Sequence, residues 1–185
     1  MHPILRAALC ALIAAAIVAP MTAQESAPLP AGDVNAFDRA VMLPYSAPLD
    51  AVSDYTQYAA FLSPAVFAFA APVGDWFEVG AMYAGSAVLS YAARTALKAT
   101  IERNRPYMYF ADPPSRLIEE GDHLDSFPSG HSIMAFTGAG FTAALFALRY
   151  PGSPYGLPAT VGAYGLAAAT VGLRVGSGSH FLSDV

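Results

Sequence analysis

Basic residues and histidines cluster in three short stretches of the sequence, each next to an apolar run. In the first stretch, KATIERNRP, Lys98 and Arg105 lie about two turns apart on a similar face if a helix continues that far. Two such cations can bind an anion. They can equally be the interfacial cations that often end a membrane-spanning helix, so this stretch alone leaves both interpretations open.

The second stretch, DSFPSGHSIM, lies where a polar segment meets an apolar one. Pro128 ends the preceding element, Ser129 can cap the next helix, and Gly130 lets a ligand approach the backbone. The N–H groups and the dipole of a helix start favour an anion. An ordinary N-cap followed by a surface histidine, His131, explains the same residues equally well.

The third stretch is LRVGSGSHFLSDV, in which Arg174 ends an apolar run and His180 is followed four residues later by Asp184. On a helix these last two side chains are neighbours. A carboxylate that binds one imidazole nitrogen fixes the tautomer and leaves the other nitrogen free to attack or to take a proton. One such pair does not by itself identify an enzyme.

Taken in order, the three stretches resemble the motifs of the type 2 phosphatidic acid phosphatase superfamily. This superfamily includes lipid phosphate phosphatases, bacterial class A acid phosphatases and vanadium haloperoxidases. The matching pattern, over residues 98 to 184, is Lys, six residues, Arg-Pro, then Pro-Ser-Gly-His, then Arg, five residues, His, three residues, Asp. The resemblance implies a phosphatase that acts through a phosphohistidine, with neither a metal nor another cofactor.

The resemblance also implies a role for each matched residue. His180 is expected to attack phosphorus as the nucleophile, and Asp184 is expected to orient it. His131 is expected to protonate the leaving oxygen and then to activate water. The residues expected to bind the phosphoryl oxygens are Lys98, Arg105, Ser129, Gly130 and Arg174.

Two features depart from the family pattern. Leu173 stands where the family usually has serine before the arginine of its third motif, so we expect one phosphate hydrogen bond to be missing. Family members continue into a further helix, whereas this sequence stops at Val185, directly after Asp184. We therefore expect a truncated domain that lacks its last helix, with activity that depends on that missing part.

The composition is typical of a membrane protein. Of the 185 residues, 55% are hydrophobic and only 12% are charged, with a mean hydropathy of +0.43, whereas soluble proteins average roughly 25% charged residues. Buried helices of a large soluble bundle can also be apolar on all sides. We predict an all-α, membrane-embedded helical bundle. The candidate spans are the uncharged runs 55–74, 79–93, 132–148 and 155–173.

These runs divide the chain into three segments. In residues 1–23 an apolar run follows Arg6, which predicts a secretory signal peptide or a first membrane helix. Residues 24–54 predict an exposed segment with one short helix around 34–43. Residues 55–185 form the predicted phosphatase-like domain, in which the proline-containing region 98–131 is expected to be a functional loop.

Charge and cysteine content exclude several classes. The net charge of −5 argues against a nucleic-acid-binding protein, which needs a basic face. The single cysteine, Cys10, excludes a disulfide framework and a cysteine metal cluster. If the helices alternate across a membrane and Arg6 keeps the N-terminus inside, the three motifs lie at the outer face. We therefore predict a bacterial inner-membrane protein whose active site faces the periplasm or the exterior.

The predicted function is hydrolysis of a lipid phosphomonoester or pyrophosphate. The candidate substrates are phosphatidic acid, phosphatidylglycerol phosphate and polyprenyl pyrophosphate, and the sequence does not choose among them or predict an oligomeric state. A soluble periplasmic acid phosphatase of broad specificity is one alternative. A non-catalytic membrane protein that binds phosphorylated lipids is the other.

Overall fold

The computed structural model describes residues 28–185, so the predicted signal peptide or first membrane helix lies outside the described residues. The described part is all-α, as predicted, and contains six α-helices joined by short 3-10 turns. They are α1 (Ala36–Arg39), α2 (Ala47–Phe61), α3 (Trp76–Thr100), α4 (Ser115–Glu119), α5 (Gly130–Leu148) and α6 (Gly156–Gly176).

The core lies where α2, α5 and α6 pack against one another. Small side chains line this contact, which lets the helix backbones approach closely. At Gly138 the approach leaves no room for a side chain, because a Cβ would lie 2.6 Å from the Cα of Phe61. The buried core residues are Ala60, Ala135, Ala139, Ala163 and Ala167.

Two of the helices in residues 28–185, α5 and α6, are long and apolar enough to cross a membrane. The expectation that run 55–74 forms one continuous span is wrong. Helix α2 ends at Phe61, and a 3-10 segment, Ser63–Phe69, follows. Pro64 stands in the first turn of this segment, where its missing N–H prevents continuation of the α-helical hydrogen bonds.

The polar region between α3 and α5 folds back on itself. Helix α3 extends to Thr100, so Lys98 still belongs to a helix. Beyond it, the backbone N–H groups of Arg103 and Arg105 donate to the carbonyls of Leu124 and His123, each over 2.9 Å. This pairing fixes the region beside the start of α5, where the second motif lies.

Candidate active site

A cavity of about 450 Å³ opens between the end of α3, the start of α5 and the end of α6. Its wall contains six of the eight residues that the sequence singled out. The two others, Ser129 and Asp184, are buried behind the wall. The six residues that line the cavity are Lys98, Arg105, Gly130, His131, Arg174 and His180.

His180 is almost completely buried and has both ring nitrogens in hydrogen bonds. Its Nδ1 lies 2.6 Å from the carbonyl oxygen of Ser126, so Nδ1 carries the proton and donates it. Nη1 of Arg105 donates to Nε2 over 3.2 Å. Burial, followed by the positive charges of Arg105 and Arg174, holds the pKa of His180 well below its ordinary value. The imidazole is therefore neutral, with the Nε2 lone pair on the cavity side.

Asp184 does not contact His180 in the way that the resemblance implies. Its Oδ2 is 3.8 Å from His180 Nδ1, which is too long for a hydrogen bond. The segment Leu182–Asp184 is a 3-10 turn, so the helical spacing that makes positions i and i+4 neighbours does not apply. Ser126 links the two side chains, since its hydroxyl donates to Asp184 over 2.6 Å and its carbonyl accepts from His180.

Asp184 is held by an ion pair with Arg103 that was not predicted from the sequence. The guanidinium of Arg103 binds Asp184 through Nη1 and Asp38 through Nη2, the latter over 2.7 Å. Asp38 is fully buried and also accepts from the backbone N–H and the hydroxyl of Ser183, over 3.0 and 2.6 Å. This network ties α1 to the turn that carries Asp184. Arg103 lies within KATIERNRP, but its position is one of the six unspecified residues between Lys98 and Arg105.

His131 pairs with an acidic residue from α2. Its Nε2 lies 2.6 Å from Oδ1 of Asp54, and the imidazole lines the cavity. Asp54 lies in the segment 24–54, which the sequence analysis did not connect with the site. A carboxylate at this distance fixes the ring orientation of a histidine that exchanges protons.

Lys98 and Arg105 come from the first motif and reach the same cavity. Nζ of Lys98 donates to the backbone oxygen of Asp125, and burial lowers the pKa of Lys98 to about 8. Arg105 forms an ion pair with Asp122 over 2.6 Å and donates to the carbonyl of Ser179 over 3.0 Å. Both side chains thus have fixed positions next to His180.

Arg174 is buried at the end of α6 and is paired with Asp50 of α2. Asp50 also accepts from the hydroxyl of Ser179 over 2.8 Å. Burial raises the pKa of Asp50, but the Arg174 charge and the hydrogen bonds lower it more, so that it lies below its ordinary value. Asp50 is therefore a charged partner that holds Arg174 against the cavity.

Ser129 and Gly130 form the start of α5. The Ser129 hydroxyl accepts from the backbone N–H and the hydroxyl of Ser132, over 3.3 and 3.0 Å, so it acts as a helix cap inside the fold. Gly130 is exposed to the cavity, and the guanidinium of Arg94 packs directly against it. Arg94 is a fourth cation at this cavity and was not singled out from the sequence.

In residues 28–185 no cluster of three or more His, Cys, Asp or Glu side chains is arranged to hold a metal ion.

A helical bundle with a cation-lined cavity and two histidines has the features of a phosphate-ester hydrolase. A family model for the PAP2 superfamily matches residues 79–185, which is more than half of the chain. The chain therefore belongs to the PAP2 superfamily, whose members are generally phosphatases. No curated protein and no solved structure matches the chain. All eight singled-out residues lie inside the matched region, whereas Asp38, Asp50 and Asp54 precede it.

Proposed function

We propose that the protein hydrolyses a lipid phosphomonoester or pyrophosphate through a phosphohistidine at His180, without a metal. The observation that carries this proposal is the hydrogen bonding of His180, whose Nδ1 faces the Ser126 carbonyl and whose Nε2 faces Nη1 of Arg105 at the wall of a cavity lined by cations. This arrangement fits a neutral imidazole with its lone pair on Nε2. A neutral imidazole is a nucleophile, whereas a protonated one is not. The PAP2 match supports the same class of reaction.

In the first step, Nε2 of His180 attacks phosphorus while the bond from phosphorus to the leaving oxygen breaks. Nη1 of Arg105, which now donates to Nε2, turns to a phosphoryl oxygen as the N–P bond forms. Lys98, Arg174 and the N–H of Gly130 compensate the remaining charge on the equatorial oxygens. His131 donates its proton to the leaving oxygen.

In the second step, water attacks the phosphohistidine and releases inorganic phosphate. His131, neutral after the first step, takes the proton from this water. Asp54 holds the imidazole in place over its 2.6 Å contact during both transfers. The Ser126 carbonyl likewise holds the imidazole of His180 in place. It keeps the proton on Nδ1 both before and after Nε2 bonds to phosphorus.

Large exposed apolar side chains support a lipid environment for this reaction. On α6, Leu157 is 76% exposed and Val161 62%, and Leu148 at the end of α5 is 84% exposed. Such a surface is unusual for a soluble monomer and fits acyl chains. The proposed arrangement places α5 and α6 in a cell membrane, with the cavity opening toward the periplasm or the exterior.

The chemical part of the proposal is tested with His180→Ala. Purified protein in detergent is mixed with a lipid phosphate labelled with radioactive phosphorus and quenched within one turnover. We expect acid-labile labelled protein and free phosphate with the wild type and with His123→Ala, which alters a histidine outside the motifs. His180→Ala should give neither. Unchanged turnover in His180→Ala would refute the phosphohistidine.

The membrane part is tested separately by fractionation. After a carbonate wash, the protein should stay in the membrane pellet. Release of the protein into the soluble fraction would refute the lipid environment while leaving the chemistry of His180 intact.

A further inference from the structure

Arg94 is the one cation at the cavity that has no anionic partner in residues 28–185. The other three are paired, Lys98 with Asp125, Arg105 with Asp122 and Arg174 with Asp50. The Nε of Arg94, like that of Arg174, is buried without any hydrogen-bond partner in the same part of the chain, but Arg174 has Asp50 on its other nitrogen. Since an unpaired buried donor on a charged group costs free energy, this guanidinium is suited to an anion that arrives with the substrate.

The position of Arg94 in α3 directs it into the cavity. It precedes Lys98 by four residues, which places both side chains on one face of the helix, one turn apart. The guanidinium carbon lies 5.6 Å from the centroid of the Tyr91 ring, within the range of a cation–π contact. Arg94 is therefore held as an extension of the cation cluster that begins at Lys98.

Arg94 contacts the start of α5 next to the proposed proton donor, and Arg94, Gly130 and His131 all line the cavity. Its guanidinium packs against Gly130, and a Cβ on this glycine would be only 3.0 Å from Cζ of Arg94. Gly130 directly precedes His131, the proposed donor of the proton to the leaving oxygen. The other three cations surround His180, the attacking group, and their charges act directly on its imidazole.

We propose that Arg94 binds the phosphoryl group that stays with the leaving group, so that the protein prefers diphosphate esters to phosphate monoesters. This inference rests on the proposed function and adds a substrate class to it. A monoester leaves as an alcohol, which offers Arg94 no charged oxygen. A diphosphate leaves as a phosphate monoester, whose oxygens can form charge-assisted hydrogen bonds with the guanidinium.

The chemistry of this step balances without any further reactant. His180 Nε2 forms a bond to the terminal phosphorus, and the bond from that phosphorus to the bridging oxygen breaks. The electron pair goes to the bridging oxygen, which takes the proton of His131. Water then cleaves the phosphohistidine, so that one diphosphate ester and one water give one monophosphate ester and one inorganic phosphate. Arg94 compensates the negative charge that grows on the departing monophosphate.

The test compares kcat/KM for farnesyl diphosphate and farnesyl monophosphate in detergent, from initial rates of phosphate release. We expect the wild type to prefer the diphosphate, and Arg94→Gln to reduce the ratio of the two kcat/KM values by about tenfold to a hundredfold, the loss typical of one charge-assisted contact. Arg94→Lys keeps the charge and should retain more of the ratio. Arg149→Gln is the matched control, since Arg149 pairs with Glu78 away from the cavity and should leave the ratio unchanged.

A second pair of substrates, ADP and AMP, separates the diphosphate group from the lipid. An Arg94-dependent preference for ADP as well indicates that the diphosphate alone is recognised, and a preference confined to the farnesyl pair indicates a lipid diphosphate. An unchanged ratio in a folded Arg94→Gln variant would overturn the inference while His180-dependent hydrolysis still supported the proposed function. Absence of His180-dependent phosphate release from every substrate would remove the proposed function itself.

Discussion

Replacement of Asp38 by asparagine should lower the free energy of unfolding, although Asp38 does not line the cavity. The side chain is fully buried and is held by Arg103 and by two bonds from Ser183. Asn35 caps α1 and contacts the same carboxylate over 2.6 Å. Asparagine has almost the same shape, so the substitution removes charge without leaving a cavity.

The size of the effect follows from the contacts that lose their ionic character. Hydrogen bonds to charged groups contribute about 1.5–3 kcal/mol each, roughly twice the contribution of neutral ones. Arg103 keeps Asp184 as a partner and its side chain is 26% exposed, so only part of this contribution is lost. We expect a loss of about 2–3 kcal/mol in the free energy of unfolding. At about 2–4 °C per kcal/mol for a chain of this size, Tm should fall by about 4–12 °C.

The pKa of Asp38 predicts how the loss of stability in Asp38→Asn changes with pH. Burial raises the pKa of Asp38, but the bonds from Ser183 and Arg103 lower it more, so the folded value lies below the ordinary 3.8. A carboxyl group with a lowered pKa stabilises the fold above its unfolded pKa and loses that contribution as pH falls through the folded pKa. The difference in Tm between wild type and Asp38→Asn should therefore be constant from about pH 8 to pH 5 and shrink below about pH 4.

Thermal unfolding followed by circular dichroism in detergent measures this difference. Asp33→Asn is the matched control, because Asp33 is an exposed acid in the same N-terminal segment, and its Tm should equal that of the wild type. The double variant with Arg103→Gln should lose less than the sum of the single losses, since the two side chains contact each other. Equal Tm values for Asp38→Asn and wild type at pH 7 would refute the reasoning.

Two further outcomes follow from single contacts. Because burial lowers the pKa of Lys98 to about 8, kcat/KM should fall as pH rises through that value, and Lys98→Arg should move this alkaline limb to higher pH in a pH–rate profile. Gly138→Ala should lower the free energy of unfolding by about 2 kcal/mol, because the added methyl meets backbone atoms of Ala60 and Phe61 that cannot turn aside. Gly162→Ala, where a Cβ meets nothing within 4 Å, is the control in thermal unfolding, and equal losses in both variants would contradict this explanation.

The sequence predicted the all-α class. It also singled out six of the residues that line the cavity, because the spacing within a motif can be recognised without knowing how the helices pack. It did not predict the partners that hold them. Asp38 and Asp54 lie in helices that carry no motif, and their contacts depend on how those helices cross. Arg94 shares α3 with Lys98, but its contact with Gly130 depends on how α3 and α5 pack. Ser126 was missed for another reason: its backbone carbonyl, which any residue provides, makes the contact with His180.

Three acidic residues that hold the cavity side chains or Asp184 come from the segment before the matched region, namely Asp38, Asp50 and Asp54. Asp38 reaches Asp184 through Arg103, and Asp50 holds Arg174. Neither acid belongs to a motif, and the sequence alone does not distinguish either from an ordinary surface carboxylate. Their contacts form only when α1 and α2 pack beside the cavity, which is why composition and periodicity did not predict them.

The contact between α2 and α5 connects the core with the proposed proton donor. Asp54 and Phe61 are seven residues apart on α2, and His131 and Gly138 are seven apart on α5, so each pair spans two turns along one helix face. The ion pair at one end and the glycine contact at the other therefore belong to one helix interface. Gly138 lets the two backbones meet, and the same pair of helices carries the 2.6 Å contact between Asp54 and His131. A methyl group at Gly138 should consequently disturb proton transfer as well as stability, although it lies two turns below the cavity.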